Sequence, residues 1–177
     1  VILYDVGTIT INDANFTGGS GADALLGGAD SELVTHGGNG LVSDSGGVTK
    51  IYDSTFVAGQ SGTAQITRQG IWDVANLTQL PASAKNSVAL AGGGSGILLN
   101  FNGATTLENV TATGSAGSSA FVSDSNTTAS ATGGHGVFAV STKVTINGGT
   151  YTGARGGTAR ATFADASGGA GVYSVNG

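Results

Sequence analysis

The sequence predicts an all-β fold, a right-handed parallel β-helix (β-solenoid) of four to five irregular coils with long loops, spanning residues 1–177 as one domain. Three observations predict it. An eight-residue cassette returns four times without a gap, at Ile11–Gly18, Ile51–Ala58, Leu107–Gly114 and Ile146–Gly153, so that its starts lie 40, 56 and 39 residues apart. A second apolar box precedes each cassette, as Val1-Ile2-Leu3, Gly40-Leu41-Val42, Gly96-Ile97-Leu98 and Gly136-Val137-Phe138, and returns at Gly171-Val172-Tyr173. Finally, 33 glycines, one proline and a 10% charged fraction depart from globular averages toward many tight turns between short apolar runs. Gly-bounded runs recurring at such a period are the mark of a solenoid.

In chain order, the upstream box supplies one strand per coil. Its second position is Ile2, Leu41, Ile97, Val137 and Val172, and its third is Leu3, Val42, Leu98, Phe138 and Tyr173, apolar in every copy. The cassette supplies the next strands, with Ile11, Ile51, Leu107 and Ile146 first and Phe16, Phe56, Ala112 and Tyr151 sixth. Short runs holding β-branched and aromatic residues between Gly and Asn read as strands. No stretch sustains a helical i, i+3, i+4, i+7 pattern over three turns.

With about three strands per coil, equivalent side chains stack at roughly 4.8 Å. Ile11, Ile51, Leu107 and Ile146 then form one inward ladder, and Ile2, Leu41, Ile97, Val137 and Val172 a second. Phe16, Phe56 and Tyr151 form an aromatic ladder interrupted at Ala112, where Val110 is placed to fill the gap. Pairing from layer to layer satisfies the backbone except at the two ends of the column.

The repeat between the second and third cassettes is enlarged, and residues 60–95 are expected to form a lateral loop. It contains the only Trp and the only Pro. Within Ile71-Trp72-Asp73-Val74-Ala75-Asn76-Leu77, Trp72 is the candidate contact residue of a binding loop. The alternative is a flap, with Trp72, Val74 and Leu77 folded back on the solenoid.

Other chemistry-bearing residues weigh less. Gly18–Leu26 matches one nine-residue calcium-binding turn of repeats-in-toxin proteins, with Asp23 as ligand, but the successor turn lacks the pattern, leaving calcium the only cofactor to consider. His36 and His135 sit at different distances from the following glycine and are not expected to stack, and with no cysteine they do not make a zinc site. Asp13 and Asp53 occupy equivalent cassette positions, and Asp5 and Asp44 form a second possible stack. Asp is an ordinary turn former, no Lys or Arg recurs beside either pair, and glycosidase chemistry needs two carboxylates of differing pKa. No catalytic residue is assigned, and the chain is expected not to be an enzyme.

The net charge of −5 and six scattered cations argue against nucleic acid as a partner. No apolar run is long enough to insert this segment into a membrane. No signal peptide pattern opens the chain at Val1, so an export signal was removed or the chain is an excerpt.

The runs Gly133-Gly134-His135-Gly136-Val137-Phe138, Val144–Gly153 and Gly168-Gly169-Ala170-Gly171-Val172-Tyr173 resemble the right-handed parallel β-helix passenger domains of bacterial autotransporters and filamentous surface adhesins. The resemblance implies an extracellular or bacterial cell-surface location and the role of a non-catalytic structural or adhesive rod. Such a rod assembles by end-to-end stacking or belongs to a longer passenger, and its partners are copies of itself, a surface receptor or a glycan. Three alternatives remain: an ice-binding solenoid with ranks of Thr at Asn15–Thr17, Thr55–Val57, Thr111–Thr113 and Thr150–Thr152, a calcium-binding secreted module, and a β-helix polysaccharide lyase or hydrolase.

Overall fold

The computed structural model describes residues 1–4, 7–44, 46–67, 84–176, and the backbone of 72–73 and 78–79. The chain is a parallel β-helix in which each coil passes through five sheets. Sheet A stacks Ile2–Tyr4, Leu41–Asp44, Ile97–Asn100, Val137–Val140 and Val172–Val175; sheet B stacks Thr8–Asn12, Val48–Tyr52, Ala104–Glu108 and Lys143–Asn147. Sheet C stacks Asn15–Thr17, Thr55–Val57, Thr111–Thr113 and Thr150–Thr152; sheet D stacks Ala24–Gly27, Ala64–Thr67, Ala120–Val122 and Ala159–Arg160. Sheet E stacks Glu32–His36, Val88–Gly92, Thr128–Thr132 and Phe163–Asp165. Four full coils and the first strand of a fifth are therefore present.

Side chains alternate across each strand, and the inward ones divide into two cores. Sheets A, B and C enclose Leu41, Ile51, Phe56, Ile97, Leu107 and Val137, all fully buried. Sheets D and E enclose Ala64, Ala89, Ala91, Ala120, Ala129 and Ala131 around Ile66 and Val122. Small inward residues bring these two sheets into direct contact.

A waist of backbone separates the lobes. The connection from E to A is Gly-Gly-x-Gly in every coil, and its second glycine meets the connection from C to D on the opposite wall. Amide donors alternate between walls: Gly38 to Gly19, Gly59 to Gly38, Ser115 to Gly94, Gly134 to Ser115, Ala154 to Gly134 and Gly169 to Ala154, each to a carbonyl at 2.8–3.0 Å. At one step the zipper runs through a side chain. The Gly94 amide donates to Ser115 Oγ at 2.8 Å, and that hydroxyl donates to the Gly59 carbonyl at 2.6 Å. A Cβ on Gly134 would be driven into the Gly94 carbonyl, so the approach of the two walls requires glycine there.

The corner from B to C turns through a left-handed residue in each coil: Asp13, Asp53, Asn109 and Gly148, with φ of 49°, 45°, 51° and 75°. Asp and Asn tolerate this conformation better than other side chains. The corner from D to E repeats the device with Asp30, Asn86 and Asn126, whose side chains link the layers. Asn86 Nδ2 donates to Asp30 Oδ1 at 3.0 Å and Asn126 Nδ2 to Asn86 Oδ1 at 2.6 Å.

Three expectations are corrected. Coils have five strands rather than three; the D and E strands bury mostly Ala and so lack the ladders of large apolar residues by which strands are recognised. The first upstream box is shifted by one residue: Ile2 pairs with Val42, not Leu41, and is exposed, while Leu3 packs on the core. A slip of one residue exchanges the faces of a strand, and Val1-Ile2-Leu3, apolar throughout, has no polar residue to set the phase. The same pairing places Tyr4 opposite Asp44, while Asp5, the other half of the second possible Asp stack, lies outside the described residues. Finally, residues 64–67 and 88–92 belong to sheets D and E, which confines the insertion to the corner between Thr67 and Val88. There Trp72–Asp73 pairs antiparallel with Thr78–Gln79.

Candidate functional site

The glycine corner that closes the waist also shapes the surface. Without side chains at Gly93, Gly133, Gly134 and Gly168, the outside of the E-to-A corner sinks into a groove of about 520 Å³. One wall is the outward face of sheet A, where Leu98, Phe138 and Tyr173 are consecutive rungs of one rank. The opposite wall is made by the ends of the sheet E strands, where His36 and Thr132 flank Gly92 in register. The imidazole of His36 lies over Gly92, where a Cβ would collide with it. Asn39, Ser95 and Ser167 add polar atoms, and Asn39 Oδ1 accepts the Ser95 amide at 2.7 Å.

His135 joins the two walls. Its ring stacks on Tyr173 with centroids 5.0 Å apart and planes 13° apart, and on Phe138 at 5.2 Å and 28°. Phe138 and Tyr173 stack at 5.7 Å, so three staggered, near-parallel rings form one apolar surface. The Ala170 amide donates to His135 Nδ1 at 2.9 Å, which places the proton of the neutral ring on Nε2. Burial against the two rings lowers the imidazole pKa and favours that neutral form. Among the described residues, none that lines the groove is Asp, Glu, Lys or Arg.

Apart from His36 and His135, the residues singled out in the sequence fall elsewhere. Ile11, Ile51, Leu107 and Ile146 are successive rungs of sheet B, and Phe16, Phe56, Ala112 and Tyr151 of sheet C. Phe16 and Phe56 stack at 5.5 Å, and beyond them buried Val110 and Ala112 continue the same core. Asp23 is exposed, and its Oδ1 accepts the Thr63 amide of the next coil. Around it, Gly18 and Gly21 donate to Val57 and Gln60, which pairs this segment with the next coil. No group of three or more His, Asp or Glu converges among the described residues.

Asp13 and Asp53 are left-handed turn residues, and Asn109 Nδ2 donates to Asp53 Oδ1 at 3.2 Å. The outward ranks of sheet C are Asn15-Thr55-Thr111-Thr150 and Thr17-Val57-Thr113-Thr152. The Trp72 side chain, and with it the choice between flap and contact loop, lies outside the described residues.

His36 and His135 do occupy different rungs, yet both line the groove, which sequence reasoning missed. The available signal was the fourfold Gly-Gly-x-Gly at Gly37–Gly40, Gly93–Gly96, Gly133–Gly136 and Gly168–Gly171, with Asn39, Ser95, His135 and Ala170 at x. Comparison of the chain with protein-family models, with curated proteins and with solved structures finds no match.

Proposed function

We propose that this chain is a non-catalytic structural and adhesive rod of a bacterial cell surface or extracellular filament, lengthened by end-to-end stacking or by further coils of a longer passenger. The observation that carries the reading is the state of the end layers. Sheet B ends on Lys143–Asn147, and its inward rung Ile146 is 39% exposed, whereas the same rung is fully buried at Ile51 and Leu107. At the opposite end Thr8–Asn12 has a partner on one side only, and Ile11 is half-buried. Each end thus offers unpaired backbone and apolar rungs that another coil of the same kind would cover. Stacking one end on the other is heterologous and does not close, so it produces a linear assembly. The location follows from the resemblance of the boxes to surface passengers.

Sedimentation velocity over a concentration series tests the assembling form. Growth into elongated species that Ile146→Lys abolishes, with the melting temperature of the remaining coils preserved, is the expected result. A wild-type chain that stays a folded monomer at millimolar concentration would refute it.

A further inference from the structure

We propose that the groove beside sheet A binds an uncharged oligosaccharide laid along the solenoid axis, with the His135, Phe138 and Tyr173 rings as its apolar wall. This deepens the adhesive half of the function proposed above, and needs only one chain rather than an assembled rod.

The ligand class follows from the lining. A pyranose ring has an apolar C–H face and a rim of hydroxyls, so it needs aromatic surface beside scattered neutral donors and acceptors. The groove supplies both: three near-parallel rings on one side, with the Nε2–H at the edge of the His135 ring, and Thr132 and Ser167 on the other. Sites for small ligands combine apolar surface with a few placed polar groups in this way, and about 520 Å³ lies within their usual range.

A charged ligand fits poorly, because no lining residue among those described carries a full charge of either sign to compensate its desolvation. The lining residues Asn39, Ser95, His135 and Gly168 come from four successive layers, a run of about 14 Å at the strand spacing, which suits a chain of sugars rather than one. A protein strand is disfavoured for a separate reason. Of the sheet A strands that line the groove, Ile97–Asn100 and Val137–Val140 are hydrogen-bonded on both sides and only Val172–Val175, at the end of the sheet, keeps an open edge, so a strand could be added at that end but not along the groove.

Titration calorimetry on the full chain tests the assignment, with soluble hexasaccharides of β-1,4-glucose, β-1,4-N-acetylglucosamine and α-1,4-glucose, and hexagalacturonate as the charged counterpart. The expected result is binding of at least one neutral hexasaccharide, weakened about tenfold or more by Tyr173→Ala and by Phe138→Ala, with hexagalacturonate inert. Both side chains point away from the core, and melting curves establish that each variant is folded. Absence of binding by all three neutral sugars at millimolar concentration overturns the proposal, as does a preference for hexagalacturonate or an affinity unchanged in both folded variants. Repeating the titration on Ile146→Lys separates the two proposals. Sugar binding without wild-type assembly defeats the rod alone, and assembly without sugar binding defeats the groove alone.

Discussion

The lobe of sheets A, B and C is filled by Phe56, Ile51, Leu107, Ile97 and Val137, whereas the lobe of sheets D and E holds seven wholly or nearly wholly buried alanines beside Ile66 and Val122. Each buried methylene contributes about 0.8 kcal/mol, so the first lobe carries most of the hydrophobic stabilisation per coil. The second gains instead from closeness, since two sheets faced with Ala approach until they touch. A thick core tolerates no deletion and a thin one no addition. Between them, the glycine waist ties the two together through amide-to-carbonyl bonds that alternate from wall to wall.

That contrast breaks most severely at the waist. Gly134→Ala places a methyl group against the Gly94 carbonyl, which is main chain and cannot swing aside. The expected loss is about 4 kcal/mol or more, measured by urea denaturation. A near-neutral result would show that the walls can part and that the lobes are not zipped.

Within the lobes, opposite changes of volume sharpen the comparison. Phe56→Ala removes the largest fully buried side chain among the described residues and should cost about 3–4 kcal/mol. The reverse change in the thin lobe, Ala129→Leu, should cost about 1–3 kcal/mol by overpacking. Equal tolerance of enlargement at Ala112 and Ala129 would erase the distinction.

The smallest effect is pH-dependent and sits on the outer surface of the first lobe. Burial holds the folded His135 pKa below its ordinary value of about 6.5, so as pH falls the unfolded chain takes up this proton first. The group's contribution is therefore complete above about pH 6.5 and declines below it, until folded His135 is protonated too. Melting temperatures of wild type and His135→Gln compared from pH 7.5 downward should converge as the pH drops below that point. A constant difference would remove the linkage.

The two lobes also differ in how far they can be read from sequence. Large residues recur in sheets B and C at positions where few substitutes fit, so the ladders through Ile51 and Phe56 stand out against their surroundings. Ala64, Ala89 and Ala129 do the same work across the waist, but in a chain so rich in Ala, Ser, Thr and Gly they are indistinguishable from loop residues. The Ile2 register failed for a related reason: three consecutive apolar residues contain no information about which of them faces inward. The groove was illegible because Leu98, Phe138 and Tyr173 are apolar at outward positions, and periodicity alone assigns such residues to a core.

The sequence by itself determined the solenoid, the period of its coils and the ladders of sheets B and C, because stacking repeats the same steric demand at every layer and so writes it into the chain as a recurrence. Only the tertiary structure decided that each coil is pinched into two lobes and that His36 and His135 line one groove. Those features depend on backbone approaching backbone across some twenty residues of chain, as Gly38 does to Gly19. Glycine records only that room was needed there, and carries no mark of what comes close.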